Sequence, residues 1–260
     1  MQLENVRKNE EEKIPEDSHI LHFWQPFKFE IDDDFKYVND NFWFNTCSNL
    51  LYLIAFPLLI IITKFFWSFK IEGKENIENI EGGKVTVSNH VHPFDCAMVG
   101  LANVPQKTYY TSLETNFKIP IVRKIIKLLN AVPIPQNIKY TKNFMNSIDS
   151  LLNNGKTVHF YPEGSLWPYY DKIRHFKNGA FDFAVRNNVP IIPMVFKFDK
   201  QKKISNLIKP KTIITLEILK PVYPNKLIGK KDAILQLKED VYSSMCEAKN
   251  EWDTGGRFNS

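Results

Sequence analysis

The chain has 260 residues, of which 43% are hydrophobic, and its formal net charge of +5 gives a sequence pI near 8.9. That length can bury one sizeable core, and a charge excess this small does not by itself select an anionic membrane, a phosphate-bearing carrier or nucleic acid as partner. The three cysteines form no CxxC pair and no metal-ligand spacing, which argues against a disulfide framework and predicts no metal site.

The first 45 residues form an extension that is rich in aromatic side chains. Of the 35 aromatic residues in the chain, 15 lie between Phe23 and Phe69. Residues 1–18 are strongly charged and lack an apolar stretch followed by a small-residue cleavage site, so they do not match a secretory signal. We therefore expect residues 1–45 to be retained as an N-terminal extension.

The most apolar stretch of the chain runs from residue 46 to residue 63 and would be about 27 Å long as a helix. Pro57 interrupts it, which membrane and interfacial helices tolerate. Aromatic residues at 42–44 and 65–69 flank it, as is typical of segments at the headgroup zone. We expect a membrane-associated helix over residues 46–69, either monotopic on the cytoplasmic face, which we favour, or single-pass. A buried core helix is the alternative.

Residues 70–260 alternate short β-rich runs with amphipathic stretches, which is typical of an α/β fold. The predicted strands are 84–88, 107–112, 157–161, 190–198 and 212–219. The predicted helices are 117–130, 143–154, 179–188 and a final helix from 233 to 252. We expect these elements to form one domain.

A histidine and an aspartate at His90-x4-Asp95 directly follow the predicted strand 84–88. On one continuous helix their side chains would point roughly 140° apart and could not meet. A turn followed by a helix that begins near Pro93 would instead fold the carboxylate back onto the imidazole. Asp95 would then hold Nδ1–H, and Nε2 of His90 could take a proton from an alcohol.

A second candidate segment, Pro162-Glu163-Gly164-Ser165, stands where the predicted strand 157–161 ends in a tight turn. Glu163 and Gly164 could face the first motif across the sheet. Backbone N–H groups around Gly164, or at the helix start after Pro93, are candidates for an oxyanion site.

The sequence resembles the family of lysophosphatidic acid and glycerol-3-phosphate acyltransferases over roughly residues 70–220. Four elements carry the resemblance, in the family's order: Asn89-His90-x4-Asp95, Pro162-Glu163-Gly164-Ser165, Phe176-Lys177-x-Gly179 and Val189-Pro190-Ile191-Ile192-Pro193. The resemblance implies a central, mostly parallel sheet covered by helices, with an N-terminal helical segment in the membrane face. It makes residues 70–260 an acyltransferase domain.

The resemblance also implies roles for individual residues. His90 would be the catalytic general base and Asp95 its orienting partner, and the candidate substrate-binding residues are Asn89, Glu163, Gly164, Ser165, Arg174 and Lys177. The expected reaction moves a fatty acyl group from acyl-CoA or acyl carrier protein to the hydroxyl of a lysolipid-type membrane acceptor, in phospholipid or glycolipid synthesis. We expect no bound cofactor and no nucleic-acid partner.

Two other functions stay open at this point. A His–Asp pair also serves esterases and thioesterases, although the chain has no GxSxG segment that would supply a serine nucleophile. A non-catalytic membrane adaptor would follow if His90 and Asp95 were only a structural pair.

The chain departs from the family at three positions that commonly carry basic residues near the acceptor phosphate. An ungapped alignment places Leu113, Gln136 and Leu166 there, and all three are neutral. We therefore expect the acceptor to be a neutral, zwitterionic or glycan-bearing lysolipid, with rings at Trp167, Tyr169 and Tyr170 replacing ion pairing. The alternative is that Lys172, Arg174 and Lys177 supply the missing charges.

Overall fold

The computed structural model describes residues 29–200 and 212–255, so most of the predicted extension over residues 1–45 lies outside the described residues. The helices are α1 (Phe42–Trp67), α2 (Glu75–Glu78), α3 (Asp95–Asn103), α4 (Pro120–Leu128), α5 (Thr141–Asn153), α6 (Gly179–Asn187) and α7 (Lys230–Gly255). The strands are β1 (Lys70–Glu72), β2 (Lys84–Ser88), β3 (Thr108–Leu113), β4 (Ala131–Ile134), β5 (Thr157–Phe160), β6 (Ile191–Lys200) and β7 (Thr212–Ile218).

The seven strands form one sheet in the order β1-β7-β6-β2-β5-β3-β4. The five strands from β6 to β4 are mutually parallel, whereas β7 runs antiparallel to β6 and β1 runs parallel to β7. Every residue of β2 is buried, as expected for a central strand that has helices on both faces. The predicted α/β fold with a mostly parallel sheet is confirmed.

Alternation along β6 divides the core between the two faces of the sheet. Ile191 and Val195 belong to a cluster that includes residues of α5, α6 and α7. Ile192 and Met194 belong to a second cluster with residues of α3 and β7, and α1 packs against this second cluster. Side chains two apart on a strand share a face, so each cluster takes every second residue.

The apolar helix α1 begins and ends at identifiable capping residues. The side-chain oxygen of Asn41 accepts a hydrogen bond from Trp43 N at 2.9 Å, and Ser68 closes the helix in the left-handed conformation at φ 45°. α1 therefore starts four residues before the predicted 46–69 segment and ends two residues before its limit. Among the described residues, α1 is the one helix that is both long enough and apolar enough to cross a membrane.

Helix α4 departs from the expectation that the amphipathic stretches would cover the sheet. None of its residues is buried, and Ile121 is 74% exposed. Periodicity shows that one side of such a helix is apolar but does not show what covers that side. α4 packs beside α1 instead, and the hydroxyl of Tyr52 on α1 donates to Leu129 O at 3.2 Å.

Candidate active site

The two candidate segments meet because the strands that precede them are neighbours. β2 and β5 are parallel and pair from Lys84 with Thr157 to Val87 with Phe160, so their carboxyl ends lie side by side. This edge of a parallel sheet is where α/β proteins place their ligands. The loop between β2 and α3 and the loop after β5 therefore face each other.

His90 and Asp95 form the hydrogen-bonded pair that the spacing predicts. β2 ends at Ser88 and α3 begins at Asp95, which returns the carboxylate to the imidazole. The distance from His90 Nδ1 to Asp95 Oδ2 is 2.6 Å, and the carboxylate side chain is 1% exposed while the imidazole is 23% exposed. A carboxylate can only accept here, so Nδ1 carries the proton and Nε2 is the ring nitrogen that can accept one.

A tyrosine that the sequence analysis did not single out completes this pair. Tyr161 directly follows β5, and its hydroxyl donates to Asp95 Oδ1 at 2.8 Å. Its ring stacks on the His90 imidazole, with centroids 3.9 Å apart and planes 16° apart. The only available sequence signal was its place between a strand and the Pro162-Glu163 turn.

Glu163 and Arg174 form a second charged pair, which is sealed inside the protein. Arg174 Nη2 lies 2.8 Å from Glu163 Oε2, and the two side chains are 4% and 0% exposed. Glu163 Oε2 also accepts from the backbone N–H of His90 at 3.2 Å, and Oε1 accepts from Arg174 N at 3.0 Å. Glu163 thus ties the loop that carries His90 to the segment that carries Arg174.

Asn89 and Ser165 are also buried and bonded to protein groups. The amide of Asn89 exchanges two hydrogen bonds with the backbone of Phe196 on β6, at 2.8 and 3.2 Å. Ser165 Oγ accepts from Arg174 Nη1 at 2.8 Å. The predicted substrate contacts of Asn89, Ser165 and Arg174 stay predictions, and the observed contacts hold neighbouring segments together.

Gly164 occupies a left-handed turn that Lys177 covers. Its φ is +82°, and a Cβ atom there would come within 3.0 Å of Lys177 Nζ. The N–H of Gly164 donates to Tyr161 O at 3.0 Å, and Asp95 N donates to His92 O at 3.0 Å. Both donors are thus bonded within their own turns, and the oxyanion site expected from N–H groups around Gly164 or at the start of α3 stays a prediction.

Two further histidines beside the pair are kept neutral by burial. Burial lowers the pKa of His159 to about 3, and its ring lies between Thr86 Oγ1 at 2.9 Å and Ser88 Oγ at 3.3 Å. Burial also lowers the pKa of His92, whose Nδ1 accepts from Phe94 N at 3.1 Å. His90 is therefore the imidazole of this region that is both partly exposed and bonded to a carboxylate.

Comparisons with known proteins show the family to which the chain belongs. The family model described as acyltransferase matches residues 68–197, which is half of the chain and includes both facing loops. The chain belongs to the acyltransferase family. The resemblance to lysophosphatidic acid and glycerol-3-phosphate acyltransferases seen in the sequence is thereby confirmed.

The chain is also similar to individual acyltransferases. Two chloroplastic 1-acyl-sn-glycerol-3-phosphate acyltransferases, BAT2 of Brassica napus and LPAT1 of Arabidopsis thaliana, are 27% and 28% identical over 130 residues, half of this chain. The aligned segment spans 37% and 36% of those two proteins. The 1-acyl-sn-glycerophosphate acyltransferase PlsC of Thermotoga maritima shares the fold at a TM-score of 0.53 and 20% identity, over 82% of this chain and 97% of that one.

A cavity of about 430 Å³ lies beside the sealed pair in this acyltransferase family member. Lys177 and His175 line it from the loop before α6, and Lys238 lines it from α7. Because α7 follows the matched residues 68–197, the sequence motifs did not indicate Lys238.

The three neutral positions that depart from the family pattern lie at the carboxyl edge or near it. Leu113 ends β3, and Gln136 follows β4 and donates its backbone N–H to the buried Glu114 at 2.8 Å. Leu166 and the ring of Trp167 follow the Glu163 turn, and Arg174 lies 4.7 Å from the centroid of that ring. Trp167 is buried, whereas Leu166 is partly exposed.

Proposed function

We propose that the protein transfers a fatty acyl group from acyl-CoA or an acyl carrier protein to the hydroxyl of a lysolipid-type acceptor, in phospholipid or glycolipid synthesis. The observation that carries the proposal is the His90–Asp95 pair, in which a buried carboxylate holds one nitrogen of a partly exposed imidazole. Membership of the acyltransferase family supports the same reaction class.

The proposed chemistry needs one base at this position. His90 Nε2 takes the proton of the acceptor hydroxyl while its oxygen attacks the thioester carbonyl carbon. Asp95 stabilises the imidazolium that forms. The tetrahedral intermediate collapses as the C–S bond breaks, and the thiolate takes the proton from the imidazolium. A thiol of ordinary pKa about 8.5 is a good leaving group, so this step requires little assistance.

The described contacts favour transfer over hydrolysis through a serine intermediate. The serine of the Pro162–Ser165 turn is buried and accepts a hydrogen bond from Arg174, which leaves it poorly placed as a nucleophile. An alcohol that binds beside His90 can instead use the base directly.

The test is thioester consumption by the full chain with and without an acceptor alcohol. We expect consumption to depend on the acceptor and to yield one ester for each thiol released. If the thioester is consumed equally fast without an acceptor, the protein is a hydrolase. If no thioester is consumed with any donor and acceptor, the protein is a non-catalytic adaptor. Either result would overturn the proposal.

For the acceptor, we propose a neutral or zwitterionic head group rather than a phosphate monoester. Each charge-assisted hydrogen bond to phosphate is worth roughly 1.5–3 kcal/mol, and Leu113, Gln136 and Leu166 offer no such charge. Arg174, one of the three alternative cations named from the sequence, is buried against Glu163. Competition between lysophosphatidate and neutral or zwitterionic lysolipids with one donor tests this, and a higher kcat/KM for lysophosphatidate would contradict it.

For localisation, we propose that α1 lies in the plane of the cytoplasmic membrane face. The helix has 26 residues and is about 39 Å long, and it contacts the domain at both ends. Ser48 Oγ near its start donates to Leu128 O at 2.8 Å, and the ring of Trp67 at its end lies 4.8 Å from that of His92. A helix crossing a hydrocarbon core of about 30 Å would carry one end away from the domain.

Helix α4, which packs beside α1, also exposes apolar side chains. Ile121 and Ile125 are exposed on α4 and Leu53 is exposed on α1, while Arg123 and Lys124 on α4 supply positive charge. We expect Leu53→Glu to weaken sedimentation with anionic vesicles, because it places a charge in the apolar face. The matched control Leu235→Glu, on α7, should leave binding unchanged. Equal vesicle binding by wild type and Leu53→Glu would contradict the in-plane placement.

A further inference from the structure

Asp95 is held at both carboxylate oxygens, by two different rings. His90 Nδ1 donates to Oδ2 at 2.6 Å, and the hydroxyl of Tyr161 donates to Oδ1 at 2.8 Å. The tyrosine ring also stacks on the imidazole, with centroids 3.9 Å apart. Tyr161 therefore contacts both members of the pair, one through its hydroxyl and the other through its ring.

The hydroxyl of Tyr161 can act only as a donor in this position. Burial, together with the negative charge of Asp95, raises the pKa of Tyr161 well above its usual value. The groups that face it are Asp95 and Cys96 from α3, His90, Tyr110 from β3 and His159 from β5. His159 is neutral because burial lowers its pKa to about 3, so Asp95 is the charged acceptor beside the hydroxyl.

We propose that Tyr161 is a positioning residue for acyl transfer, whose hydroxyl fixes the Asp95 carboxylate and whose ring fixes the plane of the His90 imidazole. This inference rests on the proposed function of the His90–Asp95 pair. Without Tyr161 the donors to the carboxylate, His90 Nδ1 and at 3.5 Å the backbone N–H of His92, are both on Oδ2. A donor on Oδ1 from a different element holds the other side of the carboxylate and fixes its orientation. Nε2 then points in a fixed direction toward the acceptor.

Tyr161→Phe separates the two contacts because it removes the hydroxyl and keeps the ring. We expect kcat to fall about tenfold with KM within twofold, since the lost bond is charge-assisted and acts on the base rather than on substrate binding. Without the tyrosine hydroxyl, the negative charge of Asp95 is less compensated and attracts the imidazolium form of His90 more strongly than in wild type. The acid limb of the pH–kcat profile should therefore move to higher pH, by about half a unit.

Two further variants sharpen the test. Tyr161→Leu removes the ring as well, and should lower kcat further than Tyr161→Phe does. Tyr110→Phe is the matched control, because it deletes another buried tyrosine hydroxyl, one that is bonded to Thr108 of its own strand β3. It should leave both kcat and the acid limb unchanged.

A readout that does not depend on turnover keeps this proposal distinct from the proposed function. NMR titration of the His90 ring, assigned by its loss in His90→Gln, should show a higher midpoint in Tyr161→Phe than in wild type. If wild type transfers no acyl group but the midpoint moves, the proposed function fails and the link from Tyr161 to His90 stands. An unmoved midpoint and acid limb in Tyr161→Phe, or equal changes in Tyr110→Phe, would overturn the positioning role.

Discussion

Two acid–base pairs lie on the facing loops at the carboxyl edge of the sheet, and they differ mainly in exposure. In the His90–Asp95 pair the imidazole is 23% exposed, whereas in the Arg174–Glu163 pair neither side chain is more than 4% exposed. The pairs are joined, because Glu163 accepts from the backbone N–H of His90. One pair can therefore reach a substrate, and the other holds the loop on which the first is built.

The difference shows why a motif is a poor guide to the role of each residue in it. His90, Asp95 and Glu163 come from segments that resemble family motifs, and all four residues of the two pairs are ionisable groups of the kind that active sites use. A buried ion pair adds little stability compared with two apolar side chains of the same size in its place. Removal of one partner alone, however, leaves an uncompensated buried charge. We therefore propose that Glu163 and Arg174 act on catalysis through the placement of His90.

The largest expected effect comes from the exposed pair. We expect His90→Ala to lower kcat about 10³-fold, and Asp95→Asn somewhat less, because the first removes the base and the second only its orienting partner. Both variants should stay folded by thermal melting. The matched control His175→Ala, an exposed imidazole on a loop, should keep wild-type kcat. A larger loss in Asp95→Asn than in His90→Ala would contradict the assigned roles.

Substitutions in the Glu163–Arg174 pair should change mainly the free energy of unfolding. Arg174→Met leaves the Glu163 carboxylate buried without its guanidinium, which we expect to cost about 3–5 kcal/mol in the free energy of unfolding. The double variant Glu163→Gln with Arg174→Met should recover much of this loss, because no buried charge remains. Urea unfolding of the three proteins measures it. A single variant as stable as wild type would show that the pair is not a scaffold.

The smallest expected effect near neutral pH is a pH dependence of stability that comes from His159. Its pKa is lowered to about 3 by burial, and the unfolded chain has an ordinary histidine pKa of about 6.5. The unfolded state therefore binds the extra proton between these values, so stability is complete above about pH 6.5 and falls by at most about 1.4 kcal/mol per unit below it. His159→Asn should melt with a shallower acid dependence, whereas His175→Asn should keep the wild-type slope.

Five of the seven strands of the sheet could be predicted from sequence. β2, β3, β5, β6 and β7 coincide with predicted runs to within two residues at either end, since β-branched and aromatic residues mark them. β1 and β4 have three and four residues, pair with one neighbour each, and were not predicted. Their conformation depends on the adjacent strand more than on their own sequence.

The candidate active site could be predicted from sequence only where its contacts are local along the chain. The turn that joins His90 to Asp95 is local, so its spacing along the chain predicted the contact. Tyr161 is 66 residues from Asp95, and no periodicity links residues that meet only through the pairing of β2 with β5. The bond from the Gly164 N–H to Tyr161 O was not predicted either, because it depends on the conformation of the turn rather than on residue type.

Imidazole rescue of His90→Ala tests the central claim most directly, which is that this side chain removes the proton from the acceptor hydroxyl. Acyl transfer by His90→Ala would be measured with increasing free imidazole, beside wild type and Arg174→Met. The account predicts that imidazole restores transfer in His90→Ala alone, and more strongly as pH rises and the added imidazole loses its proton. Folded His90→Ala that transfers acyl groups at the wild-type rate without imidazole would contradict it.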